Sequence, residues 1–273
     1  MAGEWRVPTI LPDGRAPVTT RFMRNSSIRT LAKAVLPRRT RDWISAQQRR
    51  LNCWPPVGWV WFGSLRRLQP VSRTFGMDRG VSIDRYYIED FLTRHALDIH
   101  GCVLEIANSD YTRRFGDGRV IKSEVLHVHE GNPRATIVAD LASGNQIASN
   151  RFDCIILTQT LQFIYDVRAA IFTLYRILKP GGILLATLPG ISQISRYDMD
   201  RWGEYWRFTT LSARRSFEEV FSPTKLTIES YGNVLAATAF LHGVAEGELR
   251  RAELNYHDPD YEVLITARAI KPN

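Results

Sequence analysis

Glu105 closes the apolar run Gly101–Ala107, and Asp140 closes a second such run, with Leu141 after it. A carboxylate at the end of a buried strand accepts hydrogen bonds and donates none, so it selects N–H and O–H groups. Thr158 ends a third apolar run, Phe152–Thr158, and Gln159 follows it. Toward the C-terminus, Tyr197, Asp198, Asp200, Glu204 and His242 are groups that can take a proton from a reacting hydroxyl. His242 follows the apolar stretch Val234–Leu241, so a core histidine is its other reading. Trp202, Tyr205, Trp206 and Arg207 combine flat aromatic faces, suited to the apolar faces of sugar rings, with a guanidinium suited to phosphate or carboxylate. The same aromatics are equally suited to bracing the helix that follows. His127 and His129 alternate along one strand with no cysteine or carboxylate at ligand spacing, so no metal is expected. There is no P-loop, no CxxC pair and no Ser-His-Asp arrangement.

These residues need a scaffold that brings the ends of separate strands together. Strands are expected at Gly101–Ala107, Val120–Val128, Ala135–Ala139, Phe152–Thr158, Ile183–Leu188, Lys225–Tyr231 and Tyr261–Ala269. Asp166–Lys179 has apolar residues at Val167, Ala170, Ile171, Leu174, Ile177 and Leu178, the 3.6-residue period of a helix, and Lys179-Pro180-Gly181-Gly182 stops it. Further helices are expected at Ser82–Leu97, Thr210–Phe221 and Asn233–Val244. Strands alternating with helices imply an α/β fold with a doubly wound, largely parallel sheet covered on both faces. Ligands of such sheets bind outside the carboxyl ends of the strands, where the strand order reverses. A nucleotide-like cofactor beside Glu105 is the expectation. Only Asn108–Arg119 separates the first strand from the second, too few residues for a full helix and two turns.

The stretches VLEIA, VADL, FDCIILTQTLQFIYD and LKPGGILLATLPG resemble, in that order, the class I S-adenosylmethionine-dependent methyltransferases, from about Asp84 to the C-terminus. The resemblance implies a Rossmann-like seven-stranded sheet with an antiparallel last strand, and S-adenosylmethionine as cofactor. RWGEYWRFTT, from Arg201 to Thr210, resembles the stretch after the fifth strand in methyltransferases of polysaccharide and glycoconjugate clusters. That likeness implies O-methylation of a sugar or glycoconjugate hydroxyl beside glycosyltransferases, with Trp202, Tyr205 and Arg207 on the acceptor and Asp198 or His242 as base. A small aromatic or polyketide acceptor, and a non-catalytic scaffold, are the alternatives. By the same resemblance Glu124 matches the carboxylate that holds the ribose, with Glu130 as fallback, and Asp140 and Leu141 match the adenine contacts. Thr158 and Gln159 fall at the ligand edge, and the helix before the first strand supplies lid candidates in Arg85, Tyr86 and Tyr87. The sequence departs from the family where glycines usually follow the first strand: here stand Ala107, Asn108, Ser109, Asp110 and Tyr111. Ala107 is the expected substitute for the first glycine, and Tyr111, Thr112 or Arg113 for its hold on the cofactor. The proline-bearing tetrapeptide of amino-directed nucleic-acid methyltransferases is absent.

The chain has 273 residues and a net charge of +8. Residues 1–75 hold 14 of the 36 Lys+Arg and 3 of the 28 Asp+Glu, a balance of +11, which leaves −3 for the remainder. The basicity therefore belongs to an N-terminal extension and not to a catalytic domain at 76–273, which argues against a nucleic-acid substrate. Within the extension Met1–Asn25 reads as irregular, and Ser27–Leu36 and Thr40–Leu51 as helices. Trp54, Trp59, Trp61 and Phe62 then cluster around Pro55 and Pro56. They read as a flap packed on the main domain or on a homodimer partner, or as a peripheral membrane contact. Three cysteines and no signal-like or spanning segment point to a cytoplasmic protein, membrane-peripheral on the second reading.

Overall fold

The structure, a computed structural model, describes residues 59–273 together with 37, 39, 40, 43 and 55. The expected helices at 27–36 and 40–51, and Trp54, lie wholly or mostly outside the described residues. Contacts divide the chain between Ser64 and Leu65, whereas the sequence reading ended the extension at residue 75.

The larger unit is built on seven strands: β1 Gly101–Ile106, β2 Val120–His127, β3 Ile137–Val138, β4 Phe152–Thr158, β5 Leu178–Pro189, β6 Leu226–Tyr231 and β7 Leu264–Ile270. Their order is β3-β2-β1-β4-β5-β7-β6. The pairs among β1 to β5 are parallel, and β7 runs antiparallel to both β5 and β6. The strands read as continuous apolar runs because both faces are covered. In β4, Ile155 and Leu157 join the core on one face, with Leu104, Leu126, Leu184 and Ala186. Cys154 and Ile156 join the core on the other, with Val103, Leu185 and Leu264.

Seven α-helices are described: α1 Ile83–Arg94, α2 Asp110–Gly116, α3 Val167–Ile177, α4 Arg196–Trp202, α5 Thr210–Glu218, α6 Val234–His242 and α7 Arg251–Asn255. Helices α3 and α5 cover the first face, and α1, α6 and α7 the second. Asp166 caps α3 by accepting the Ala169 N–H at 3.0 Å. Helix α3 ends at Ile177, two residues before the expected Lys179, because Leu178 already belongs to β5. Helix α2 has 7 residues, the shortened element that the short connection implied. Helices α4 and α7 were not foreseen. Both are too short for a 3.6-residue pattern to emerge.

At the amino edge of the sheet, Asp153 ties three strands together. Its carboxylate accepts the Cys102 N–H at 2.7 Å and two contacts from Lys179 Nζ at 2.8 and 2.9 Å. Gly101, at φ +66°, permits this approach: a Cβ there would lie 2.5 Å from that carboxylate. Asp153 thus acts in the sheet, far from the strands' carboxyl ends.

Candidate cofactor and acceptor cleft

The strand order reverses between β1 and β4, and a cleft of about 710 Å³ opens at their carboxyl ends. That volume lies in the roughly 300–1,000 Å³ range of ligand sites. Its floor is Glu105 to Asn108 from β1, Leu126 to His129 from β2, Ala139 to Ala142 after β3, and Thr158 to Thr160 after β4. Its walls come from the start of α1, from Gln162 to Ile164, and from α4.

The turn after β1 is made without glycine. Ala107 takes φ +66°, the left-handed backbone that a glycine adopts without strain. Its N–H donates to the Leu126 carbonyl at 2.9 Å, and its own carbonyl accepts from Asn132 Nδ2 at 2.7 Å. Asn108 Oδ1 accepts the Asp110 N–H at 3.0 Å, which starts α2. Glu105 is 2% exposed and anchors the helix from below. Its carboxylate accepts the N–H groups of Tyr111 at 3.1 Å and Thr112 at 2.7 Å, and the Thr112 hydroxyl at 2.7 Å. Burial pushes this carboxyl above its ordinary range, against the pull of those three donors. Glu105 therefore fixes the turn that shapes the cleft.

On the opposite wall stands Asp84, in the first turn of α1. It accepts the Ser82 hydroxyl, and no ion pair reaches it among the described residues. Burial pushes its carboxyl up. Gln162 is 4% exposed; its Nε2 donates to Gln159 Oε1 at 3.1 Å, while its Oε1 is buried with no partner among the described residues. An orphaned acceptor on a cleft wall calls for a donor from a ligand. Above the cleft, the Trp202 ring lies 6.2 Å from both His127 and Phe163, so α4 spans from β5 toward the end of β2. The Ser195 hydroxyl donates to Asp198 Oδ2 at 2.6 Å and holds the start of α4.

Residues 90–186 match the family described as Methyltransferase domain. The match covers 97 of the 273 residues, from α1 into β5. No curated protein matches the sequence. Among solved structures it is similar to a SAM dependent methyltransferase from Archaeoglobus fulgidus, with 11% identity over 68% of this chain and 94% of that one, TM-score 0.46. It is also similar to the N-methyltransferase NodS from Bradyrhizobium japonicum WM9, with 17% identity over 84% of this chain and 98% of that one, TM-score 0.44. A third likeness is to the cyclase SpnF, with 18% identity over 69% of this chain and 81% of that one, TM-score 0.45. At these identities and TM-scores the likenesses say nothing of the acceptor.

The fold brings nine of the sequence-derived residues to one cleft: Glu105, Ala107, Tyr111, Asp140, Leu141, Thr158, Gln159, Asp198 and Trp202. Five others lie elsewhere. Tyr87 is 2% exposed in the core under α1, and its hydroxyl donates to the Leu254 carbonyl at 2.9 Å. It shares a helix face with Ile83 and Phe91, while Asp84 and Arg85 turn to the cleft. Glu124 lies three residues before the end of β2, because the strand runs on to His127. Its carboxylate takes Lys122 Nζ at 2.5 Å and Arg151 Nη2 at 3.0 Å. The fallback, Glu130, does not line the cleft either; His127 and His129 occupy that edge. Tyr205 is half exposed against Tyr165, beyond the turn at Gly203. Arg207 braces its own loop, pairing with Glu204 at 2.6 Å and donating to the Gln193 carbonyl at 2.7 Å. His242 ends α6 with its Nδ1 buried and without a partner among the described residues, and its carbonyl accepts the N–H groups of Val71 and Ser72 at 2.7 and 3.1 Å.

Asp84 and Gln162 are the cleft residues that sequence reasoning missed as functional. The helical period offered a signal: positions 84, 85 and 88 adjoin one another on a turn, and the core face runs through 83, 87 and 91.

Proposed function

We propose that the domain is an S-adenosylmethionine-dependent O-methyltransferase acting on a sugar or glycoconjugate hydroxyl. The observation that carries this reading is the two-sided cleft. Strand ends with Ala107, Tyr111, Asp140 and Leu141 form one side. Trp202 with Asp84, Gln162 and Asp198 forms the other. The residues present fit the cofactor. The left-handed turn at Ala107 keeps the first loop low, Asp140 and Leu141 suit the adenine, and the buried acceptors tolerate a cation.

When bound, the cofactor supplies a methyl group on a positively charged sulfur. Its transfer is a direct displacement, in which alignment and exclusion of water provide most of the acceleration. Trp202 offers a flat face to a sugar ring, and Gln162 Oε1 accepts a hydroxyl proton donor of the acceptor. Asp84 takes the proton of the reacting hydroxyl: it is half-buried, lines the cleft and is paired with no cation among the described residues. This assignment replaces His242, which is outside the cleft, and is preferred to Asp198 because burial pushes the Asp84 carboxyl up, whereas the Ser195 contact of Asp198 holds the start of α4. The enzyme would act in the cytoplasm on products of glycosyltransferases, alone or as a homodimer.

A second reading, methylation of a small aromatic or polyketide hydroxyl, is supported by the apolar wall of Phe75, Met77, Ile88, Phe163 and Ile164. Transfer of labelled methyl from S-adenosylmethionine to panels of glycans and of phenols separates the two. The account expects turnover on glycans. Asp84→Asn should lower it by about 10²–10⁴ while leaving S-adenosylhomocysteine affinity unchanged. Turnover confined to phenols would transfer the assignment to the second reading, and full turnover by Asp84→Asn would remove Asp84 as the base.

A further inference from the structure

The stretch Trp59–Leu68 is unlike an ordinary surface. Trp59 is 75% exposed, Trp61 91%, and Leu68 fully, with Val60 and Phe62 about half exposed. Singly exposed apolar residues need no explanation, but five within ten residues, two of them tryptophan, do. Residues 59–62 form no helix or strand. The charge around them has one sign. From Trp43 to Met77 the sequence has no Asp or Glu and five arginines: Arg49, Arg50, Arg66, Arg67 and Arg73. Downstream, the N–H groups of Val71 and Ser72 donate to the His242 carbonyl, so the stretch leads into a fixed point of the larger unit.

We propose that Trp59–Leu68 is a membrane-docking segment that inserts its aromatic side chains into the interface of a bilayer rich in anionic lipids. Tryptophan and phenylalanine favour the boundary between headgroups and acyl chains. Each arginine near an anionic surface adds about 1 kcal/mol of attraction. A bilayer fits better than a protein partner because the arginines have no acidic neighbours within the stretch and a headgroup layer needs no shaped complement. Among the described residues no helix is long and apolar enough to cross a membrane, so the attachment is peripheral. The inference does not depend on the methyl-transfer reading.

The test is flotation of the full-length protein with vesicles of phosphatidylcholine, with and without phosphatidylglycerol. Wild type should float with the anionic vesicles, remain largely free of the neutral ones, and be released by salt. The W59A/W61A/F62A variant should lose at least about tenfold in partitioning, in line with the apolar area it withholds from the bilayer. Its melting temperature and its S-adenosylhomocysteine binding should match wild type, because each removed side chain is more than half exposed. R66A/R67A should lose the preference for anionic vesicles. Failure of wild type to float would overturn the proposal, as would undiminished flotation of the triple variant. A self-association abolished by the triple variant, without vesicle binding, would assign the segment to a second copy of the chain instead.

Discussion

At Ala107 the backbone holds a left-handed conformation that a glycine would adopt without strain. The strain in a residue with a Cβ is about 1 kcal/mol, and the extra freedom glycine brings to the unfolded chain offsets part of the relief. Ala107→Gly should therefore stabilise the fold by up to about 1 kcal/mol and raise the melting temperature by a few degrees, with cofactor binding retained. A drop in melting temperature would mean that the turn is set by something other than φ. The sequence showed that a glycine was missing here, and the structure shows that the conformation is kept without it. Glu124 is the opposite case, a residue whose type suggested a ligand contact and whose position denies it. Burial works against its ionisation, but Lys122, Thr136 and Arg151 prevail and hold its carboxyl at about 2. A carboxylate depressed on folding contributes stability above its unfolded value, and that stability is lost as the pH falls toward the folded one. With Lys122 largely in solvent the contribution is discounted to about 1–2 kcal/mol. Glu124→Gln should lose about that much at neutral pH, and its stability should vary less with pH between 4.5 and about 2. An unchanged acid limb would contradict the assignment.

Among the elements, the runs of the parallel sheet were legible because a strand covered on both faces is apolar throughout. Helix α3 was legible because its 3.6-residue period spans three turns. Element ends were less so. Whether β2 stopped at Glu124 or at His127 depends on its pairing with β1, which reaches Leu126, and no local property of the sequence encodes that pairing. The same gap hid α4, whose place over the cleft depends on contacts of Trp202 with His127 and Phe163. Helix α6 was expected with Asn233 at its start, and the side chain proves to join two elements. Its Oδ1 accepts the N–H groups of Leu235 and Ala236, both at 3.0 Å, and its Nδ2 donates to the carbonyls of Glu253 and Tyr256 at 2.7 and 2.8 Å. Asn233 is 4% exposed, so its removal leaves buried groups unpaired. Asn233→Ala should destabilise by about 2–4 kcal/mol, the loss of a cap plus orphaned carbonyls, and chemical denaturation measures it. A loss under about 0.5 kcal/mol would show that the α6–α7 junction is held otherwise.

For the whole molecule, the order β3-β2-β1-β4-β5-β7-β6 gathers residues from Glu105 to Trp202, distant in sequence, around one cleft. That convergence was expected from alternating strands and helices. The sorting of Tyr111 and Asp140 into the cleft, and of Tyr87, Arg207 and His242 out of it, required the packing of α1, α4 and α6. The central claim is that a first turn without glycine still forms a site for S-adenosylmethionine. Isothermal titration of the intact protein with S-adenosylhomocysteine tests it most directly. The account predicts saturable binding at one site per chain, weakened by about 1–3 kcal/mol in Asp140→Ala, where a hydrogen bond to the adenine is lost. A folded protein that takes up no S-adenosylhomocysteine, or one in which Asp140→Ala binds as tightly as wild type, would contradict it.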